Sequence, residues 1–156
     1  MNKNAIALSV AVVFTIGAAT AAFLHNAENS GVADPNDPKQ VALGKTIYAD
    51  NCASCHGVNL EGETEDWKST KEDGTLYAPP HDDTGHTWHH GDALLFQYTK
   101  EGGQAIAGPD FQSGMMPFAD ALTDEEIWAA LAFIKTSWTE QQLNRQQMMT
   151  EREKEQ

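Results

Sequence analysis

Apolar positions along the chain fall into three patterns. From Ala5 to Leu24 there are twenty consecutive positions without a charge, preceded by Lys3. After Asp37-Pro38, Val41, Gly44, Ile47 and Tyr48 recur at helical spacing, and an N-cap acid followed by a first-turn proline predicts a helix running to about Asn51. Near the other end, Thr123-Asp124-Glu125-Glu126 reads as a capping box opening a helix with Ile127, Leu131, Ile134 and Trp138 on one face, the clearest amphipathic segment in the sequence. Between these helices, Asp92 is placed to cap a short helix carrying Ala93 to Tyr98 and ended by Gly102-Gly103. Residues 57–91, rich in Gly, Asp, Glu, Thr and Pro, show no sustained period, and a loop of that length needs something to pack on.

This pattern divides the chain into an N-terminal segment at 1–24, a small polar linker at 25–37, a folded domain at 38–138 and a tail at 139–156. The first segment is read two ways. A positive start, an apolar run and Ala19-Thr20-Ala21 suit a cleaved signal peptide, whereas about twenty apolar residues also suffice for an uncleaved membrane anchor. Both readings put the rest of the chain in the periplasm or on the outer face of the cytoplasmic membrane, with membrane contact through residues 5–24 in the second. The tail, with Leu143, Met148 and Met149 as a thin apolar stripe, is expected to be disordered or a polar, solvated or frayed helix, with no separate role. The whole is expected to be all-α.

Charge narrows the possible partners. Ten Lys and Arg against 23 Asp and Glu give a formal charge of −13, which repels phosphate backbones and argues against nucleic-acid binding. Two cysteines are too few for a disulfide framework or a four-cysteine metal site. Their spacing points elsewhere: Cys52-Ala53-Ser54-Cys55-His56 is the attachment pattern of a c-type haem. Two thiols separated by two residues can each form a thioether to one porphyrin edge, with the adjoining histidine as an axial iron ligand. A thioredoxin-like pair belongs between a strand and a helix, but this pair ends a helix and opens a polar loop. One haem c per chain is therefore expected, attached at Cys52 and Cys55 and ligated by His56.

A second axial ligand is sought in Gly114-Met115-Met116-Pro117-Phe118, because a thioether is the usual partner of histidine in electron transfer. Here the chain resembles the class I c-type cytochromes, bacterial, exported and monohaem, across about residues 38 to 138. The resemblance rests on Gly44 and Tyr48, the Cys52-Cys55-His56 motif, the methionine loop, and Leu122 to Trp128 entering the last helix. It implies the cytochrome c fold, three or more helices around one covalent haem with long loops. It also implies a crossing of first and last helices at Gly44 and Tyr48, with Trp128 or Phe133 as the aromatic partner. The family reads Met-Pro-x-Phe and then Leu four positions on. Aligned on Phe118 and Leu122 the ligand falls on Met115, and aligned on the Met-Pro dipeptide it falls on Met116. Met115 is preferred because the following helix fixes the register.

Four of the six histidines lie within residues 81–90. His81, His86, His89 and His90, with Asp82 or Asp83, are read either as a second metal site for copper or zinc, or, with Trp88, as contacts to haem propionates and edge. A histidine in place of methionine on the iron is a third reading. The function expected is one-electron transfer between exported or membrane-bound redox partners with basic docking surfaces, with no organic substrate and no enzymatic activity of its own. The alternatives are a haem subunit or ligand sensor of a redox enzyme, or a copper-handling cytochrome using the His81–His90 loop.

Overall fold

A computed structural model describes residues 31–155. Residues 1–24 and the start of the linker, on which the export reading rests, lie outside the described residues. Among the described residues there are six α-helices, one 3₁₀ turn at Thr87–His89 and an isolated antiparallel bridge between Thr70 and Leu76. The helices are α1 (Pro38–Asn51), α2 (Ala53–His56), α3 (Asp92–Glu101), α4 (Gly103–Ala107), α5 (Asp124–Lys135) and α6 (Glu140–Glu153).

Helix α1 starts where the Asp37 carboxylate accepts hydrogen bonds from the Lys39 and Gln40 amides, and Pro38 supplies the turn that lacks a donor. Helix α5 opens with a complete capping box: Thr123 Oγ1 accepts from the Glu126 amide while the Glu126 carboxylate accepts from the Thr123 amide and hydroxyl. Those bonds hold the Glu126 carboxyl below its ordinary range. The two helices cross at Gly44. A Cβ there would overlap the Ala129 carbonyl group and come within 3.0 Å of Phe133 Cβ, so only glycine permits the approach. Tyr48, 1 % exposed, then meets the Phe133 ring at 5.5 Å. Trp128 is not the crossing partner. It stacks on Phe96 of α3 at 4.4 Å, which fastens α3 to α5. Ile47, Leu60, Leu122, Ile127, Leu131 and Ile134 complete the core.

Three boundaries differ from the sequence reading. The linker does not extend to residue 37. Ala33 is 2 % exposed, and the Gln40 side-chain amide donates to Val32 O and accepts from Asp34 N, both at 2.8 Å, so the folded unit includes these residues. Asp92 is not the N-cap of α3: Gly91 takes that place, and the Asp92 side chain turns inward to an ion pair with Lys135 at 2.7 Å. The tail is a docked helix rather than a solvated one. Thr139 and Gln142 form a second capping box, and Gln146, 3 % exposed, donates to Asp92 Oδ1 at 2.6 Å. Thr150 and Glu153 side chains accept from the Asp92 and Ala93 amides, supplying acceptors for the first turn of α3 from another helix. Leu143 also packs on the core, but the other anchors are polar, so the thin apolar stripe understates the docking.

Candidate haem site

Helix α1 gives way to α2 at Cys52, whose carbonyl accepts from the Cys55 and His56 amides at 3.1 and 2.9 Å. Cys52, Cys55 and His56 therefore share one tight turn. Tyr48 fixes its far end, donating its hydroxyl to Gly57 O at 2.8 Å and to His56 O at 3.2 Å. Burial raises the Tyr48 phenol well above its ordinary value, so it remains a donor throughout the physiological range. Cys52 is partly buried and Cys55 exposed, with no disulfide between them. Burial, followed by the neighbouring Cys55, pushes the Cys52 thiol up to about 11. A disulfide-exchange pair needs a thiol lowered below its ordinary value, so the local chemistry disfavours that reading.

His56 is 8 % exposed, and its Nδ1 lies 2.9 Å from Pro79 O. A carbonyl only accepts, so Nδ1 carries the proton and Nε2 keeps the lone pair needed to ligate a metal. Burial lowers the His56 pKa, outweighing the Pro79 bond, and keeps the ring in the neutral, ligating form. Two thiols in one turn beside a neutral, oriented imidazole fit a covalently attached haem c.

The 57–91 loop supplies the Pro79 carbonyl. It packs back on the motif through Gly62 N to His56 O at 2.8 Å, and through Leu60, whose carbonyl accepts from the His81 and Asp82 amides. The histidines divide into His81, on the motif, and His86, His89 and His90, near one another. The His81 ring stacks on His56 at 4.0 Å and its Nδ1 lies 2.8 Å from Thr87 Oγ1. His86 stacks on Trp67 at 5.0 Å, with His90 edge-on at 5.3 Å, and its buried Nδ1 has no hydrogen-bond partner. His89 packs against Trp88. Among the described residues, no group of three or more His, Cys, Asp or Glu is arranged to hold a metal ion. The copper or zinc reading therefore lacks its geometry, because the ring contacts are to tryptophans and to each other. The Trp88 indole N–H donates to Gly85 O at 3.1 Å and Arg145 covers the ring at 5.7 Å.

The methionine loop is held at both ends. Gly102, at φ +82°, ends α3 in the left-handed region, and a Cβ there would lie 2.8 Å from Pro117 N, so the loop returns tightly against it. Met115 is pinned through its backbone, O accepting from Gly103 N and N donating to Ser113 Oγ, each at 3.1 Å. Met115 is partly buried, whereas Met116 is 65 % exposed. Phe118 N reaches the Thr99 and Lys100 carbonyls, and Leu122 N bonds Phe118 O at 2.9 Å, joining loop to capping box. Sequence reasoning missed the Pro79 carbonyl and the Tyr48 hydroxyl. The Pro79-Pro80 pair was the available signal, since two ring-locked residues mark a rigid point in an otherwise aperiodic loop.

The cytochrome c family model matches residues 41–138. A stretch of 31 residues is 52% identical to the Cbb3-type cytochrome c oxidase subunit FixP of Sinorhizobium medicae (strain WSM419), and equally to that of Rhizobium meliloti (strain 1021). That stretch is 20% of this chain and 11% of each relative, so the chain matches only a small part of their length. Among solved structures, cytochrome CL from the marine methylotrophic bacterium Methylophaga aminisulfidivorans MPT matches at 19% identity and TM-score 0.44, over 70% of this chain and 62% of that one.

Proposed function

Because the chain belongs to the cytochrome c family and binds one haem c covalently, we propose that it is a one-electron carrier in which His56 and Met115 fill both axial positions of the iron. When bound, the haem supplies the one-electron couple. The chain's own residues do the rest: Cys52 and Cys55 attach it, and Tyr48 and Pro79 hold the His56 end of the motif rigid. The observation that carries this reading is the buried, neutral His56 with Nδ1 committed to Pro79 O. Met115 is preferred over Met116 because its backbone is pinned on both sides and its side chain is the more buried. Held by both residues, the iron would offer no open position to an external ligand.

The formal charge of −13 favours redox partners with basic docking surfaces and association that weakens as salt is added. The uncharged run at 5–24 favours export, as a cleaved leader or an anchor. The short likeness to an oxidase subunit favours a second reading, a haem subunit of a redox enzyme. Absorption spectra of the oxidised and reduced protein, with and without carbon monoxide at neutral pH, test the ligation. Six-coordinate spectra unchanged by the gas are expected, and carbon monoxide binding to the reduced form would overturn closed ligation.

A further inference from the structure

The segment carrying the acceptor of His56 is gripped from two sides. On one, Leu60 O accepts from His81 N at 2.7 Å and Asp82 N at 3.2 Å. Leu60 is buried and holds the left-handed φ of 70°, a conformation that persists only where surroundings enforce it. On the other side, residues beyond α5 contribute, and Ser137 Oγ, bonded chiefly to Ile134 O at 2.7 Å, lies a longer 3.4 Å from His81 O. Trp138 Nε1 donates to His81 O at 2.8 Å, and Gln142 Nε2, on the first turn of α6, donates to Asp83 O at 2.9 Å. Trp138 is 6 % exposed, so its indole N–H has little access to water as a substitute acceptor.

The His81 carbonyl lies two residues after the Pro79 carbonyl, with Pro80 between. The Pro80 ring fixes φ and Leu60 O holds His81 N, which removes freedom that could otherwise absorb a shift at His81 before it reaches Pro79 O. Position at residues 81–83 is thereby transmitted to the hydrogen bond on His56 Nδ1. That bond governs how basic the imidazole is toward a metal on Nε2, one of the protein's levers on redox potential. The family match ends at residue 138, so the grip from Gln142 comes from a part of the chain the family model does not include.

We propose that Trp138 and Gln142 are positioning residues that hold Pro79 O against His56 Nδ1 and thereby lower the reduction potential, making the C-terminal helix part of the redox tuning. The inference rests on His56 being the axial ligand. A firm Nδ1–H bond makes the imidazole a stronger donor and favours ferric iron, so loosening it raises the potential.

The test uses the full-length holoprotein. Trp138→Phe keeps an aromatic ring and removes the donor, and Gln142→Leu removes the amide. Gln147→Leu is the control, because Gln147 is exposed on α6 and bonds only within it, to Glu151. Two quantities are read: the midpoint potential, and the deuterium exchange of the axial histidine Nδ1–H by NMR of the reduced protein. The expected result is a positive shift of potential with faster Nδ1–H exchange in Trp138→Phe, a smaller shift of the same sign in Gln142→Leu, and neither change in the control. A lowered melting temperature with unchanged potential and exchange would assign Trp138 a merely structural role and overturn the proposal. If Trp138→Phe fails to fold, Gln142→Leu decides by the same two readouts. Failure of the underlying reading is separately visible: the wild-type Nδ1–H signal would not map to His56, and the proposal would fall with it.

Discussion

Replacing Gly44 by Ala pits a local gain against a tertiary clash. At an open helix position the change raises helix propensity and stabilises by about 1 kcal/mol. Here the new methyl overlaps the carbonyl carbon and oxygen of Ala129 and lies 3.0 Å from Phe133 Cβ. The obstruction is backbone within a helix, which cannot rotate away as a side chain can, so the cost is set at the upper end of overpacking, about 3 kcal/mol. The difference is a net loss of about 2 kcal/mol, or about 6–12 °C in melting temperature for a domain of this size. Thermal unfolding of the ferric holoprotein by far-ultraviolet circular dichroism measures it, beside Lys45→Ala as an exposed neighbour on α1. An unchanged or raised melting temperature in Gly44→Ala would refute the close crossing of α1 and α5.

Other outcomes follow from the same contacts. Asp92→Ala leaves Lys135, whose side chain is 6% exposed, with the Ala33 carbonyl at 3.1 Å as its remaining partner. A loss of about 3–5 kcal/mol is expected in urea unfolding, partly recovered in the Asp92→Ala/Lys135→Met double variant, and an unchanged urea midpoint would contradict the buried network. Met115→Ala should abolish the sulfur-to-iron charge-transfer band while Met116→Ala keeps it; the reverse result moves the ligand to Met116, and retention in both discards methionine ligation. Burial lowers the pKa values of His86 and His90, with His89, His90 and Lys68 adding to the effect at His86 and Glu153 opposing it at His90. The unfolded chain then binds protons first as the pH drops below about 6.5, so stability should fall from about pH 7 toward pH 5. Melting temperatures across that range should show a shallower slope in His86→Gln, and an identical slope would remove His86 from the cause.

Local signals carried most of the fold. Asp37-Pro38 and Thr123 to Glu126 mark helix starts through bonds that span three residues, and the structure places α1 and α5 where those signals stand. The haem motif was legible for the same reason, since Cys52, Cys55 and His56 lie within one turn. What the sequence hid depends on partners distant along the chain. The Thr139 to Gln142 capping box is local, but the docking of α6 rests on Gln146, Thr150 and Glu153 reaching Asp92 and Ala93, 54 to 60 residues away. An anchor that is polar apart from Leu143 leaves little apolar period to detect. Asp92 looked like a cap because its local neighbours permit it. The buried ammonium of Lys135 draws the carboxylate inward instead, and Gly91 takes the capping position. The histidine run suggested a metal cluster because it is dense in sequence, yet His81 stacks on His56 while His86, His89 and His90 meet as ring contacts beside Trp67 and Trp88 rather than as a ligand set.

The central claim is a closed, six-coordinate haem c that exchanges one electron. Spectroelectrochemical titration of the purified holoprotein, followed in the visible range and at the sulfur-to-iron band, tests it most directly. One haem per chain, a single one-electron Nernst wave and a band present throughout the ferric limb are expected. A high-spin ferric spectrum without that band, or a wave requiring two centres, would contradict it.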